Sequence, residues 1–170
     1  MLIMKRLSIL IGLLTLMVGI AEAKGIVSYQ GEIDLGYSYG ISNDASECVH
    51  LHTIQGIKVG KYFSTGVGAG FDYYYNFDDS SEAMIPVYLN LKGYLPVGKK
   101  VSTYLSCDAG WSFGVTGDLN NNNGLTVTPA IGVVWGLFKA QVGYTIQNVK
   151  GVELGNLNMG AVQLKVGIMF

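Results

Sequence analysis

Residues 160–170 read GAVQLKVGIMF, and this stretch decides the fold. Every second residue from Gly160 to Phe170 is apolar, whereas the positions between them include Gln163 and Lys165. Since successive side chains of a β-strand point to opposite faces, the alternation predicts a strand with one apolar and one partly polar face. Such a strand is typical of a transmembrane β-barrel, in which lipid covers one face and a crowded lumen the other.

The first residues have the order of a secretory signal. Lys5 and Arg6 precede an apolar run at 9–20, and the small residues Ala21 and Ala23 follow it. This order predicts a signal peptide, because the apolar run is too short to span a bilayer as a helix. We therefore predict a signal peptide at residues 1–23 and one mature domain at residues 24–170.

Charge and cysteine content exclude two other classes of protein. The formal net charge is −1, so the chain lacks the basic footprint of a nucleic-acid-binding protein. Two cysteines, Cys48 and Cys107, are too few for the disulfide framework of a small secreted domain. We expect both thiols to be unpaired.

The same alternation recurs along the whole mature chain. It predicts eight strands, at residues 27–39, 49–60, 63–75, 85–95, 101–113, 125–135, 138–147 and 158–170. The connections alternate between short turns and long polar loops, and the long loops lie at residues 40–48, 76–84, 114–124 and 148–157. This pattern predicts an all-β fold, an eight-stranded antiparallel up-and-down transmembrane β-barrel in a bacterial outer membrane. Both termini and the short turns would then lie in the periplasm. Gln55 and Pro129 are the weak points of this pattern, and Pro129, which removes a ladder hydrogen bond, predicts a bulge or local irregularity.

Aromatic residues on the predicted outer face support this topology. One group lies next to the long loops and includes Tyr37, Phe71, Tyr73, Trp111 and Tyr144. The second group lies next to the short turns and the termini and includes Tyr29, Trp135, Phe138 and Phe170. Two aromatic girdles are expected at the two interfaces of a membrane. A soluble lipid-carrier barrel would have the inverse pattern, apolar inside and polar outside.

Three segments carry a family resemblance. They are the signal peptide, the glycine-rich segment YFSTGVGAGFDYYY at 62–75 and the terminal segment LKVGIMF at 164–170. Over about residues 26–170 the chain resembles the small OmpA/OmpX-like barrels and the porin-like outer membrane β-barrel proteins of Gram-negative bacteria. The resemblance implies roles in envelope integrity, adhesion or stress response. It also implies that Phe170 belongs to a signal read by the barrel-assembly machinery, and that outer-membrane lipids and lipopolysaccharide surround the protein.

The predicted inner faces hold four acids and four bases: Glu32, Asp34, Asp72 and Asp108, and Lys58, Lys92, Lys139 and Lys165. We expect these charges to pair, because an unpaired charge inside a narrow barrel has a large desolvation cost. Eight strands enclose a space that side chains nearly fill, which favours a static plug over a gated polar path or a proton relay. Since the last strand must pair with the first to close the barrel, we also expect Glu32 and Lys165 to meet.

Glycines on the inner face of the third segment predict a packing arrangement. Gly66, Gly68 and Gly70 leave space that bulky inward residues of the fourth segment, such as Tyr88, can occupy. A phosphate-binding loop would need a turn from a strand into a helix, which the pattern lacks.

His50 and His52 share one face of the second segment. They leave open a metal site or the base of an outer-membrane lipid A acyl hydrolase. A metal would need a third or fourth ligand, and a hydrolase would need a nucleophile and an orienting acid. No distinctive motif supplies either set, so we interpret both as polar residues at the rim of the lumen, with no metal, no cofactor and no catalytic residue.

We therefore expect a non-enzymatic integral outer-membrane barrel with a role in envelope integrity or surface interaction. The long loops are candidates for binding an extracellular ligand, and nucleic acid is not an expected partner. The alternatives are a lipid A-modifying acyl hydrolase and a small channel.

Overall fold

The computed structural model describes residues 26–41, 47–77, 80–116, 123–151 and 155–170. The predicted signal peptide at 1–23 lies outside the described residues. The chain forms eight strands, β1 (Val27–Gly40), β2 (Glu47–Val59), β3 (Phe63–Phe77), β4 (Ser80–Pro96), β5 (Val101–Gly114), β6 (Asn123–Trp135), β7 (Phe138–Gly151) and β8 (Gly155–Met169). Each strand pairs antiparallel with the next, and β8 pairs antiparallel with β1. The predicted fold, an eight-stranded antiparallel up-and-down barrel, is confirmed.

In the part of the chain that the structure describes, no helix has the length and apolar character needed to cross a membrane.

The period-two pattern places apolar residues outside and polar residues inside. Leu35, Leu89 and Leu105 are more than half exposed on the outer surface. By contrast, the charged Glu32 and Lys92 are each only 1% exposed in the interior. An apolar exterior around a polar interior is the reverse of a water-soluble fold, and it suits a surface that lipid covers.

Two loop-side hairpins extend further than the alternation predicts. β4 begins at Ser80 rather than at 85, and β7 and β8 continue to pair as far as Gly151 and Gly155. The predicted long loops at 76–84 and 148–157 are therefore mostly strand, which corrects the sequence-based bounds. The reason is that backbone hydrogen bonds can continue a pair of strands beyond the membrane, where the outer side chains need not be apolar. The alternation of apolar residues therefore ends before the strands do.

The connections after β2, β4 and β6 lie at one end of the barrel, which we call the turn end, and the connections after β1, β3, β5 and β7 lie at the opposite end, which we call the loop end. Gly136 and Leu137 form the two-residue turn between β6 and β7, and Gly136 has a φ of 62°. Two-residue hairpin turns favour glycine at a position with positive φ, because a side chain would be crowded there.

Pro129 interrupts the ladder between β6 and β7 without shifting it. Within these two described strands, Val127 pairs with Ile146 and the next pair is Ala130 with Gly143, in the same register. Because proline has no N–H to donate, the local gap is the irregularity that the sequence predicts.

Candidate functional site

The lumen holds a group of four charged residues near the turn end, which we call the turn-end cluster: Glu32, Asp34, Lys92 and Lys139. The Nζ atom of Lys92 lies 2.5 Å from both carboxylate oxygens of Glu32. Lys139 also contacts Glu32, and its Nζ lies 2.8 Å from Oδ2 of Asp34. All four residues are buried. Two acids and two bases give a neutral group, which limits the cost of burying the charges.

Neutral residues complete this end of the lumen. Gln30 donates from Nε2 to Oε1 of Glu32 at 2.8 Å and to the hydroxyl of Tyr94 at 2.9 Å. Tyr94, Tyr104 and Met169 form a buried apolar cluster beside it. Charged, polar and apolar side chains therefore contact one another at the turn end of the lumen.

The predicted meeting of Glu32 and Lys165 is wrong. In the β1–β8 register Glu32 faces Met169, whereas Lys165 faces Gly36. The two charges therefore lie four residues apart along the barrel wall. Lys165 instead lies nearer the loop end, with its Nζ 3.0 Å from Nδ1 of His52 and 3.9 Å from Oδ2 of Asp108.

The remaining predicted lumen charges have different surroundings. Lys58 lies over the ring of Tyr94, 4.5 Å from the ring centroid, and the ion pairs among the described residues do not include it. Asp108 accepts a hydrogen bond from Asn90. Asp72, which the sequence grouped with the lysines, contacts two histidines.

A second polar group lies nearer the loop end and comprises Ser38, Cys48, His50, His52 and Asp72, which we call the loop-end cluster. Nδ1 of His50 lies 2.6 Å from Oδ1 of Asp72, and Nε2 of His52 lies 2.7 Å from the same oxygen. Nε2 of His50 lies 2.9 Å from Oγ of Ser38. Sγ of Cys48 lies 3.6 Å from Nδ1 of His50. All five side chains are buried inside the barrel.

Register explains why these residues meet. β1, β2 and β3 are consecutive neighbours, and His50 pairs directly with Asp72 while Ser38 pairs with Cys48. Ser38 and Asp72 lie 12 and 22 residues from His50 in the chain, so no local motif reveals them. Pairing the first three predicted strands as consecutive hairpins would have placed Ser38 and Asp72 next to His50.

A small cavity adjoins the loop-end cluster. The volume in which the centre of a water molecule can lie is about 40 Å³. This is room for about three waters. His50, His52, Asp72 and Lys165 line it, and so does Gln163, whose buried Oε1 has no hydrogen-bond partner among the described residues. A buried amide oxygen without a partner favours a polar occupant, because leaving it unsatisfied costs free energy.

The cluster supplies the partners that both sequence-based alternatives lacked. Cys48, His50 and Asp72 each offer a metal-ligating atom, and among the described residues these three atoms lie within 4.8 Å of one another. Ser38, His50 and Asp72 also form a hydroxyl–imidazole–carboxylate chain, which is the order of groups in a serine hydrolase. The interpretation of the two histidines as isolated polar residues at the rim is therefore replaced by a connected buried network.

Comparison with known proteins identifies the fold. No family model matches the chain, and no curated protein matches it. Among solved structures, the N-terminal β-barrel domain of Pseudomonas aeruginosa OprF is 11% identical, with 83% of this chain and 97% of that chain covered and a TM-score of 0.52. The outer membrane enzyme PagL is 10% identical, with 79% and 98% covered and a TM-score of 0.56. The chain therefore has the fold of the small eight-stranded outer-membrane barrels, as the resemblance implied.

Proposed function

We propose that the protein is a non-enzymatic integral outer-membrane β-barrel with a closed lumen, and that it acts in envelope integrity or in interactions at the cell surface. The observation that carries the closed lumen is the turn-end cluster, in which Lys92 of β4 and Lys139 of β7 both bind Glu32 of β1. Three separated strands are thus tied together through the interior.

Opening the lumen would separate these charges. Removing one partner of a buried ion pair costs about 3–5 kcal/mol, because the other charge is left without compensation. Tyr94, Tyr104 and Met169 fill the adjacent space and bury their apolar atoms against one another. Both contributions favour a plug over a water-filled path.

The apolar exterior supports the membrane location. Its exposed leucines, valines and aromatics suit contact with outer-membrane lipids and lipopolysaccharide. We propose that both ends of the mature chain face the periplasm after the signal peptide is removed, and that the loop end faces outward, where its loops would bind any extracellular ligand.

Single-channel recording in planar bilayers at neutral pH tests the closed lumen. We expect no long-lived open state for the native barrel, and more frequent openings for the E32Q variant, which loses the negative charge that pairs with two lysines. The K61Q variant, changed in an exposed turn, is the matched control and should stay closed. Reproducible open states of the native barrel would reject this proposal and favour a small channel.

We also propose that the barrel-assembly machinery is a partner during biogenesis and recognises the last strand through Phe170. The residue pairs with Gly31 through two backbone hydrogen bonds, at 2.6 and 2.9 Å, at the seam that closes the barrel. The F170A variant should fold in detergent yet accumulate less in outer membranes than F138A, the same change at another exposed phenylalanine. Equal membrane levels for the two variants would reject this partner.

A second candidate function, an outer-membrane acyl hydrolase, is favoured by the Ser38–His50–Asp72 chain. In such a reaction the Ser38 hydroxyl attacks an ester carbonyl, and Nε2 of His50 takes the proton and returns it to the departing alcohol. Asp72 would orient the imidazole through Nδ1, and water would then release the acyl group from Ser38. A lipid A acyl ester is the substrate class that an outer-membrane location makes accessible.

A fluorophosphonate probe, which reacts with activated serine hydroxyls, tests this second candidate. A hydrolase should be labelled at Ser38, and the S38A and H50Q variants should lose the label. S112A is the matched control, because Ser112 is also buried inside the barrel but contacts Thr126 rather than a histidine. Incubation of the native barrel with lipid A, followed by analysis for released acyl chains, identifies the substrate. Absence of both label and acyl loss rejects the hydrolase.

A further inference from the structure

We propose that the loop-end cluster binds a divalent transition metal, with Zn²⁺ the best chemical match, through Cys48, His50, His52 and Asp72. The ligating atoms of Cys48, His50 and Asp72 lie within 4.8 Å of one another. His52 lies outside this group of three and would have to move closer to complete the site, starting from the contact of its Nε2 with the Asp72 oxygen that His50 also contacts. The four donors come from β2 and β3, which pair directly, so that the rigid ladder holds them in place.

Within the group of Cys48, His50 and Asp72, the distances between ligating atoms are close to those of a zinc site. Zinc–sulfur and zinc–nitrogen bonds of about 2.3 and 2.05 Å place the two ligating atoms about 3.5 Å apart in a tetrahedron. Sγ of Cys48 and Nδ1 of His50 are 3.6 Å apart. A nitrogen ligand and an oxygen ligand of a tetrahedral zinc ion lie about 3.3 Å apart. The distances from Asp72 Oδ1 to the ring nitrogens of His50 and His52, 2.6 and 2.7 Å, are shorter than this. The carboxylate would withdraw by roughly 0.6 Å on binding, and the adjoining cavity, which Asp72 lines, provides the space.

Each histidine has a partner for the ring nitrogen that would not bind metal. Nε2 of His50 lies 2.9 Å from the Ser38 hydroxyl, and Nδ1 of His52 lies 3.1 Å from the Tyr88 hydroxyl. Ligating histidines donate their second N–H to such partners, which fixes the ring and its tautomer. When His52 donates to Tyr88, the Lys165 ammonium can no longer donate to Nδ1 and turns towards Asp108, whose Oδ2 is 3.9 Å away.

The donor set selects the kind of metal. A thiolate and two imidazoles suit zinc and related transition metals, whereas magnesium and calcium prefer oxygen ligands. Cys48 has no exposed surface and faces the lumen, whereas Cys107 is exposed on the outer face. The thiolate of Cys48 and the carboxylate of Asp72 carry two negative charges, which a divalent cation neutralises. Burial of the group as a whole therefore leaves no uncompensated charge.

The site is distinct from the hydrolase candidate in two of its residues. His50 and Asp72 would serve either function, but Cys48 and His52 are needed only for metal. Ser38 would be the nucleophile of a hydrolase, whereas in a metal site it only accepts a hydrogen bond. Variants at Cys48 and Ser38 therefore separate the two.

The experiment uses the full barrel, purified in detergent and stripped of metal with a chelator. Titration with Zn²⁺ by calorimetry should give one bound ion per barrel. Co²⁺ in place of Zn²⁺ should show the near-ultraviolet absorption of a thiolate–cobalt bond. The C48S variant should lose this absorption and bind Zn²⁺ at least roughly 10-fold more weakly, since even the loss of a residue that only orients a ligand costs about 10–100-fold, and H50A should be at least as impaired. C107S is the matched control and should bind as the native barrel does.

Three results would overturn the site: no zinc bound to the folded native barrel, no thiolate–cobalt absorption, or equal zinc affinity in C48S and C107S. Heat-dependent gel mobility checks that each variant forms a folded barrel. Because C48S is nearly isosteric with the native residue, it tests the site even where H50A fails to fold. Fluorophosphonate labelling of Ser38 without zinc binding would favour the hydrolase instead.

Discussion

Lys92 on β4 binds both carboxylate oxygens of Glu32 on β1, and its Nζ lies 2.5 Å from each oxygen. β1 and β4 are not neighbours in the barrel, so the ion pair crosses the lumen instead of following the wall. Both side chains are 1% exposed, and water contributes little to their solvation. The pair therefore links parts of the wall that backbone hydrogen bonds do not join.

Replacing Glu32 by glutamine should destabilise the barrel strongly. The change removes the carboxylate from Lys92 and Lys139 together, and truncating one side of a buried ion pair costs about 3–5 kcal/mol. Urea-induced unfolding in detergent measures the effect. E32Q/K92M should recover part of the loss, because it removes the Lys92 ammonium, whereas Lys139 still has the carboxylate of Asp34 as a partner. K61Q, in an exposed turn, should stay close to the native barrel, and an E32Q barrel as stable as K61Q would contradict the role of the cluster.

Adding a methyl group at Gly68 should also destabilise the barrel. A Cβ atom there would lie 2.2 Å from the ring of Tyr88, closer than side-chain atoms can approach. Overpacking of this kind costs about 1–3 kcal/mol. G93A is the matched control, since a Cβ at Gly93 meets no atom within 4 Å. Equal unfolding midpoints for G68A and G93A would show that the Tyr88 ring moves aside without cost.

Substitution of Gly136 tests the turn between β6 and β7. Its φ of 62° lies in the left-handed region, which costs other residues about 1–2 kcal/mol. G136A should therefore lower stability by about that amount and slow refolding, because the hairpin depends on the turn. Gly98 lies in an exposed turn without this backbone constraint, so G98A is the control. A G136A variant with the refolding rate of G98A would rule out a kinetic role for the turn.

The sequence could predict the strands and their faces, because period-two alternation is a local property. The alternation predicts Tyr37 and Trp111 outside and Glu32 and Lys92 inside, as found. Loop-side strand ends were less accurate, since a ladder outside the membrane needs no apolar alternation. The expected space beside Gly68 is also present, and the ring of Tyr88 fills it.

Side-chain partners in the lumen could not be predicted in the same way. Which lysine reaches Glu32 depends on the tilt and stagger of all eight strands, a global property of the closed barrel. Long flexible lysine side chains add further choice, so Lys165 was assigned to Glu32 although it contacts His52. The meeting of Ser38, His50 and Asp72 is different, because hairpin register between neighbouring strands decides it.

Gln55 places an amide on the outer face of β2, which is otherwise largely apolar. Tyr29 donates from its hydroxyl to Oε1 of Gln55, and Nε2 of Gln55 donates to Oγ1 of Thr53 at 2.8 Å. These contacts satisfy the amide where lipid offers no hydrogen bonds.

Y29F should therefore cost about 1–2 kcal/mol, since it leaves the carbonyl oxygen of Gln55 without a donor. Y29F/Q55L should be more stable than Y29F alone, because the unsatisfied group is then absent. Y62F, at an exposed tyrosine in a turn, is the control in bilayer unfolding measurements. If Y29F unfolds like Y62F and Q55L adds nothing, the amide must find other partners, such as interfacial water, and the pair does not explain why a glutamine is tolerated on this face.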